Sequence, residues 1–201
     1  MSETGLYYIV SILIAIGAIV LVLARLDKRK TNVRRIVLIA VMTALSIVSR
    51  FIFAAVPAFK PMASIIILTG MYLGAEAGFM CGALTAFLSN FYFGQGPWTP
   101  FQMLAFGAIG LVAALLSVPL KKKRPILVLY AIAAGIFYSF FLDIWTMLWA
   151  YSGLSIEGYL AAIVSAVPYT ILYAASNVVF LLLLERPFGK RLGRIIHKYR
   201  I

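Results

Sequence analysis

Residues 88–110 read LSNFYFGQGPWTPFQMLAFGAIG, a compact polar and aromatic loop set between two strongly apolar runs. Gly94 and Gly96 allow backbone conformations that are closed to other residue types. Pro97 stiffens the turn, and Pro100 suits the first turn of a following helix. The pattern predicts two apolar helices joined by a short, rigid loop that carries Trp98.

The composition around this hairpin is that of an integral membrane protein. The chain has 201 residues, of which 64% are hydrophobic, with a mean hydropathy of +1.02. A soluble domain contains about 45–50% apolar residues. The formal net charge of +12 does not indicate nucleic-acid binding, because the basic residues form three short clusters between apolar runs. The expected surroundings are lipid, and no nucleic acid is expected as a partner.

Seven apolar runs are candidates for membrane-spanning helices, which need about 20 apolar residues each. They are residues 5–24, 36–55, 61–73, 77–92, 100–120, 126–150 and 158–184. The third run is short, so we expect it to be tilted or broken. In the first run the basic residues follow the apolar segment, which favours a retained helix over a cleaved signal peptide. The predicted fold is all-α and polytopic, with one leading helix and a group of six.

The basic clusters predict the orientation of these spans. Residues 25–35, 121–124 and 186–200 contain six, four and six Lys or Arg, which is 16 of the 18 in the chain. With seven spans all three clusters fall on one side, and basic loops favour the cytoplasm. The N-terminus is then outside and the C-terminus inside. The loops at residues 56–60, 93–99 and 151–157 are predicted to be extracytoplasmic.

The inventory of reactive side chains argues against an enzyme. Cys81 and His197 are the single cysteine and histidine, and no metal-ligand spacing is present. No phosphate-binding loop of the GxxxxGK[ST] type occurs, so we expect no ATP hydrolysis by this chain. We predict no catalytic residue, no metal site and no cofactor. An inverted-repeat transporter is disfavoured because no convincing repeat relates the two halves. A stand-alone channel or secondary transporter would normally place ionisable residues near the midplane, whereas here the polar residues lie toward the outer face. A purely structural membrane protein is a further alternative.

Two charged residues lie inside predicted spans, where charges are costly and usually functional. Arg50 is near the outer end of the second span, and Asp143 is in the outer half of the sixth. Three explanations are open: the two residues pair with each other, Arg50 extends to the outer headgroups, or one or both line a polar cavity open to the outside. Lys60 is expected to be interfacial.

Amide and aromatic residues are concentrated at the same outer level. Asn90, Gln95 and Gln102 carry groups that can hydrogen-bond a ligand's amides or heterocycle. Trp98 and Trp145 lie there too, as does the third tryptophan of the chain. An interfacial aromatic belt is the alternative explanation. A belt usually has aromatic residues on both sides, so the outer bias favours the walls of a pocket.

These features together resemble a known family. Residues 31–50, TNVRRIVLIAVMTALSIVSR, are similar to the first core helix of the substrate-binding S components of energy-coupling factor (ECF) vitamin transporters. Residues 88–110 are similar to the third helix, outer loop and fourth helix of that family. The resemblance covers residues 31–190 and implies a six-helix substrate-binding membrane domain. Residues 1–30 would be an extra N-terminal transmembrane helix with a basic linker, and residues 191–201 a basic cytoplasmic tail.

The resemblance implies a substrate-specificity subunit of an ABC importer in the bacterial plasma membrane. Such a subunit captures a vitamin outside, associates with a transmembrane coupling subunit and two ATPase subunits that hydrolyse ATP, and topples to deliver its cargo. Ala40 and Ala44, an AxxxA pair, would form the docking surface for the coupling subunit. The residues implied to bind substrate are Arg50, Asn90, Gln95, Trp98, Gln102, Asp143 and Trp145.

The outer loop also indicates a branch within that family. The GQGPWTPFQM segment resembles the cobalamin group, which predicts cobalamin or another corrinoid as the substrate. An aromatic, amide-rich pocket with few charges also suits a flat heterocycle, so riboflavin and queuine are alternative substrates.

Overall fold

The computed structural model describes residues 33–150 and 154–199, together with eight helical positions between residues 9 and 24. Most of the predicted leading span, its basic linker and residues 151–153 and 200–201 lie outside the described residues. The helices from residue 33 onward are α1 (Val33–Ile52), α2 (Met62–Leu73), α3 (Ala75–Phe93), α4 (Thr99–Leu115), α5 (Ser117–Lys122), α6 (Arg124–Ala150) and α7 (Ile156–Tyr199). The described residues contain no strand, so the predicted all-α membrane bundle is confirmed.

Each of the six predicted core spans corresponds to helical structure. The fifth is divided, because the chain turns at Leu116 between α4 and α5. Three described helices, α1, α6 and α7, are long and apolar enough to cross a membrane, and α2 and α4 are shorter apolar helices. The last helix does not end near residue 184 as the apolar run suggested. It continues to Tyr199 and includes Pro168 and Pro187.

The short helix α2 occupies the centre of the bundle. It packs against α1, α3, α4 and α7, and its Ile66, Ile67 and Leu68 side chains are fully buried. A helix that is apolar all round is stable only when it is buried on every side. The apolar character of this run on every face therefore reflects a central position in the bundle.

Glycines bring α2, α3 and α4 into backbone contact. A Cβ atom added at Gly110 would collide with the carbonyl group of Gly78, and one added at Gly70 would collide with that of Gly110. Small residues at such positions allow close helix approach in membranes. Gly74, with a φ of 94°, forms the sharp turn between α2 and α3. This packing holds the start of α4 and the end of α3 in a defined position.

The described basic residues meet at one end of the bundle. Arg35 donates a hydrogen bond to the Leu73 carbonyl oxygen (3.1 Å) and pairs with Glu76 (3.5 Å). Arg34 donates to the Tyr199 carbonyl oxygen over 3.3 Å, which brings the end of α7 beside the start of α1. Because basic ends of membrane proteins favour the cytoplasm, the opposite end is the predicted outer one.

Candidate binding site

Two adjacent cavities lie toward the predicted outer end of the bundle. The larger has a volume of about 310 Å³, and the smaller has about 80 Å³. Tyr138 and Tyr173 contribute to the walls of both. The larger cavity is lined in addition by Trp98, Gln102, Ser139, Leu142, Asp143, Trp145, Thr146, Ala166 and Tyr169. The smaller is lined in addition by Arg50, Ala58, Lys60, Met62, Ala63, Phe106 and Asn177.

Arg50 reaches the smaller cavity from the end of α1. Its Nη1 atom donates to Ser89 Oγ and to Asn90 Oδ1, the latter over 2.9 Å. Its guanidinium carbon lies 4.4 Å from the centre of the Phe93 ring, a cation–π contact. The single ion pair among the described residues joins Arg35 to Glu76. Arg50 is therefore satisfied by neutral groups and does not pair with Asp143.

Asn90 connects this arginine to the start of α4. Its Nδ2 atom donates to Thr99 Oγ1 (3.0 Å) and to Gln102 Oε1 (2.8 Å). The residue is 1% exposed, and it belongs to neither cavity wall. The structure thus gives Asn90 a bracing position behind Arg50 and Gln102, although the sequence suggested direct contact with substrate.

Gln95 likewise braces the loop. Its Nε2 atom donates to the Phe87 carbonyl oxygen (2.8 Å), and its Oε1 atom accepts from Thr99 Oγ1 (2.9 Å). Neither cavity includes Gln95. The loop backbone is tight, since Gly94 has a φ of 107° and the Trp98 ring fills the place of a Cβ at Gly96. The loop predicted to be rigid therefore holds Trp98 against the larger cavity.

Asp143 lies in the wall of the larger cavity with Gln102 and Trp145. It is 5% exposed, and its Oδ2 atom has no hydrogen-bond partner within residues 33–150 and 154–199. An unsatisfied buried acceptor is unfavourable by about 1–3 kcal/mol. A ligand that offers an N–H group at this position would remove that cost. The cavity therefore combines aromatic walls with one hydrogen-bond acceptor that lacks a donor.

Comparison with known families decides the class of protein. The sequence model of the family described as ECF-type riboflavin transporter, S component, matches residues 30–194 of the chain. The chain belongs to this family. Comparison with curated proteins and with solved structures gave no match. The protein is thus a membrane-embedded transporter subunit, and its family is one of transporter components, not an enzyme family. S components in general act with a transmembrane coupling subunit and ATPase subunits.

The cavities of this S component include residues that the sequence did not point to. The rings of Tyr138 and Tyr173 meet edge to face at 5.0 Å, and Phe106 stacks on Tyr138 at 4.4 Å. Tyr138 and Tyr173 lie in apolar stretches of α6 and α7, so no local pattern separates a tyrosine of a cavity wall from one of the packed core. Asn177 on α7 also lines the smaller cavity.

Lys60, which was expected to be interfacial, also belongs to the site. It lines the smaller cavity, and its Nζ atom lies 5.2 Å from the Phe93 ring centre. Burial lowers the pKa of Lys60 from its ordinary value, and the neighbouring Arg50 guanidinium lowers it further. Its position directly before Pro61, at the start of α2, is the one sequence signal that it is held near the bundle. This S component therefore has two cations in one small cavity.

The predicted docking pair of the S component lies away from both cavities. Ala40 and Ala44 are on the exposed face of α1, one helical turn apart. Neither belongs to a cavity wall. Their role in docking stays a prediction.

Proposed function

We propose that this S component captures a flat aromatic vitamin of the flavin class at the two adjacent cavities, as the substrate-specificity subunit of an ECF importer in the bacterial plasma membrane. The observation that carries the proposal is the larger cavity, with its tryptophan and tyrosine walls and the unpartnered Asp143 Oδ2 atom. A tricyclic isoalloxazine ring can stack on the aromatic walls. Its imide N–H would donate to Asp143.

The cavity volume favours a flavin over a corrinoid. Small-molecule sites in proteins measure about 300–1,000 Å³, and the larger cavity, at about 310 Å³, is at the lower end of that range. A corrinoid is a macrocycle with many amide side arms and is much larger than a tricyclic ring. Volume and aromatic walls thus support riboflavin, the vitamin in the family's name, over cobalamin. Queuine, which is smaller and also flat, is the second ring system to be tested.

Energy for import would come from partners of this subunit. The exposed Ala40 and Ala44 on α1 support docking of the coupling subunit, because small residues let another membrane helix approach closely. The two ATPase subunits would then act through that coupling subunit. On this proposal the chain itself supplies recognition alone.

The test is calorimetric titration of the purified protein in detergent with riboflavin, queuine, cobinamide and cobalamin. We expect saturable binding of riboflavin. Trp145→Ala should weaken it by a factor of about 2 to 12, since one lost aromatic stacking contact is worth about 0.5–1.5 kcal/mol. Trp149→Ala is the matched control, because Trp149 lies one turn further along α6 and is 67% exposed. Binding of a corrinoid but not riboflavin would contradict the proposal, as would equal effects of the two substitutions.

A further inference from the structure

The smaller cavity is lined by two positively charged side chains and by no acidic residue of the described part of the chain. Arg50 and Lys60 both line it and both lie over the Phe93 ring. The two hydrogen bonds that Arg50 donates start from Nη1 and end on neutral acceptors. Within residues 33–150 and 154–199, no hydrogen bond starts from Arg50 Nε or Nη2 or from Lys60 Nζ. Both side chains line the cavity, and these donor atoms have no hydrogen-bond partner among the described residues.

The acidic residues of the described part of the chain do not neutralise these cations. Glu76 pairs with Arg35 at the basic end, and Glu185 accepts from the Tyr72 hydroxyl there. Glu157 is exposed in the first turn of α7. Asp143 lies in the wall of the larger cavity and makes no ion pair with Arg50 or Lys60. Two like charges held together at low dielectric favour the arrival of an anion.

Both cations are held in place by the fold. Arg50 is fixed by Ser89 and Asn90. Lys60 is fixed through its backbone, because its N–H donates to Ser176 Oγ (2.8 Å) and its carbonyl oxygen accepts from the same hydroxyl (2.9 Å). Ser176 is 1% exposed. The guanidinium of Arg50 is therefore held by hydrogen bonds, and Lys60 is anchored at its backbone with its Nζ atom 5.2 Å from the Phe93 ring centre.

We infer that the smaller cavity is an anion subsite, which binds a phosphate monoester or carboxylate group carried by the ligand whose ring lies in the larger cavity. The inference rests on the proposed function, since it assigns one part of the same ligand. The smaller cavity, about 80 Å³, has room for one such group but not for a ring system. Tyr138 and Tyr173 border both cavities, so a ligand with its ring in one cavity and its substituent in the other would contact both side chains. Arginine and lysine donors to such oxyanions are among the stronger hydrogen bonds in proteins.

The test compares three flavins that share one ring: lumiflavin, riboflavin and riboflavin 5′-phosphate. Calorimetry on the intact protein should give the phosphate ester an affinity about tenfold or more above that of riboflavin, as expected for a charge-assisted contact. Lys60→Gln should remove most of this preference and leave lumiflavin affinity nearly unchanged. Lys60→Arg should keep the preference. Lys123→Gln, an exposed lysine at the opposite end, should change nothing.

Two results would overturn the inference while the proposed function stands. One is equal affinity for riboflavin and its phosphate in the unaltered protein. The other is a Lys60→Gln protein, shown to be folded by its unaltered melting temperature, that loses lumiflavin and phosphate ester affinity to the same extent.

Failure of the flavins themselves is a separate outcome. If none of the three binds, the proposed function fails, and phenyl phosphate and benzyl alcohol then test the subsite directly. Binding of phenyl phosphate that is lost in Lys60→Gln, with no binding of benzyl alcohol, would support the anion subsite for a different ring. No charge-dependent binding of phenyl phosphate would overturn it.

Discussion

Asn90 links the cation of the smaller cavity to two polar groups of α4 through one side-chain amide. Its oxygen accepts from Arg50, and its nitrogen donates to Thr99 and Gln102. All three bonds are formed at a residue that is almost fully buried. The site geometry therefore depends on a residue that does not itself line a cavity.

Replacing Asn90 by Ala should lower both stability and ligand affinity. The substitution leaves Arg50 and Gln102 without their shared partner, and each unsatisfied buried group costs about 1–3 kcal/mol. Melting in detergent and calorimetric titration measure the two effects. Gln95→Ala is the control, because Gln95 braces the exposed loop, and a much smaller loss of affinity is expected there. An Asn90→Ala protein with unaltered affinity would show that Arg50 is oriented without it.

The sequence predicted part of this site, for reasons that differ between residues. Arg50 and Asp143 were found because a charge within an apolar run is rare, and both do line cavities. Gln95 resembled a ligand contact, yet an amide in a tight loop also satisfies the loop's own backbone. The role of Tyr138 and Tyr173 as cavity walls depends on how α6 packs against α7. No local sequence pattern contains that information.

Among the helices, the contact of α3 with α4 depends on glycine. Gly78 and Gly110 face each other with no room for a side chain at either position. Because α3 and α4 are held this closely, Asn90 at the end of α3 stays within hydrogen-bond distance of Thr99 and Gln102 on α4, and the outer loop between the helices keeps its position. The site is thus supported by backbone packing nearer the middle of the bundle.

Gly110→Ala should destabilise the protein, because the added methyl group must push α3 and α4 apart. Overpacking of this kind costs about 1–3 kcal/mol. Gly193→Ala is the control, since no atom lies within 4 Å of a Cβ built there. At that unstrained helical position the same substitution should stabilise by about 0.4–1 kcal/mol. Thermal melts of the two variants in one detergent compare them directly, and equal melting temperatures would refute the close contact.

The exposed face of α1 carries the prediction for assembly. Trp introduced at Ala40 or Ala44 should block the approach of a coupling helix and abolish transport and copurification of the partner subunits. Ligand affinity should not change, because neither residue borders a cavity. Ala175→Trp, at an exposed alanine of α7, is the matched control. If the Trp variants lost ligand binding but still copurified with the partner subunits, the α1 face would belong to the binding site and not to the docking surface.

The boundaries of the helices were predictable to different degrees. The apolar runs located α1, α2, α3 and α6 closely, because membrane helices have little choice of conformation. The extension of α7 was not predicted, since residues after 184 are rich in basic side chains and resemble a tail. In the structure Leu192 is buried, and Phe188, Ile195 and Ile196 pack on the core. Their spacing places the apolar side chains on one face of a continuing helix.

At the scale of the whole molecule, the predicted orientation in the membrane rests on the positions of the basic residues and the cavities. The basic clusters lie at one end of the bundle, and the two cavities lie at the other. Arg34, Arg35 and Lys121 are gathered at one end with the end of α7 and Tyr72. Arg50 and Lys60, which are the two basic residues outside the three clusters, lie at the other end. A cavity at that end is in the right place to collect a ligand from outside.

Thiol labelling of intact cells tests this orientation. In a Cys81→Ser background, Val56→Cys should react with an impermeant maleimide in intact cells, because Val56 lies in the exposed loop between α1 and α2. Lys123→Cys, between α5 and α6, should react after permeabilisation alone. The reverse labelling pattern would show that the molecule has the opposite orientation. The cavities would then open to the cytoplasm, and uptake from outside would be contradicted. Cys81 itself is fully buried, so the parent protein serves as the unlabelled control.

The distribution of tryptophan around the larger cavity has an optical consequence. The chain contains three tryptophans, and two of them, Trp98 and Trp145, border the cavity, while Trp149 is largely exposed. A bound chromophore that absorbs near their emission would quench all three indoles by energy transfer, because Trp149 lies only one turn from Trp145 on α6. The unlabelled protein would therefore report occupancy of the cavity through the loss of its own ultraviolet fluorescence.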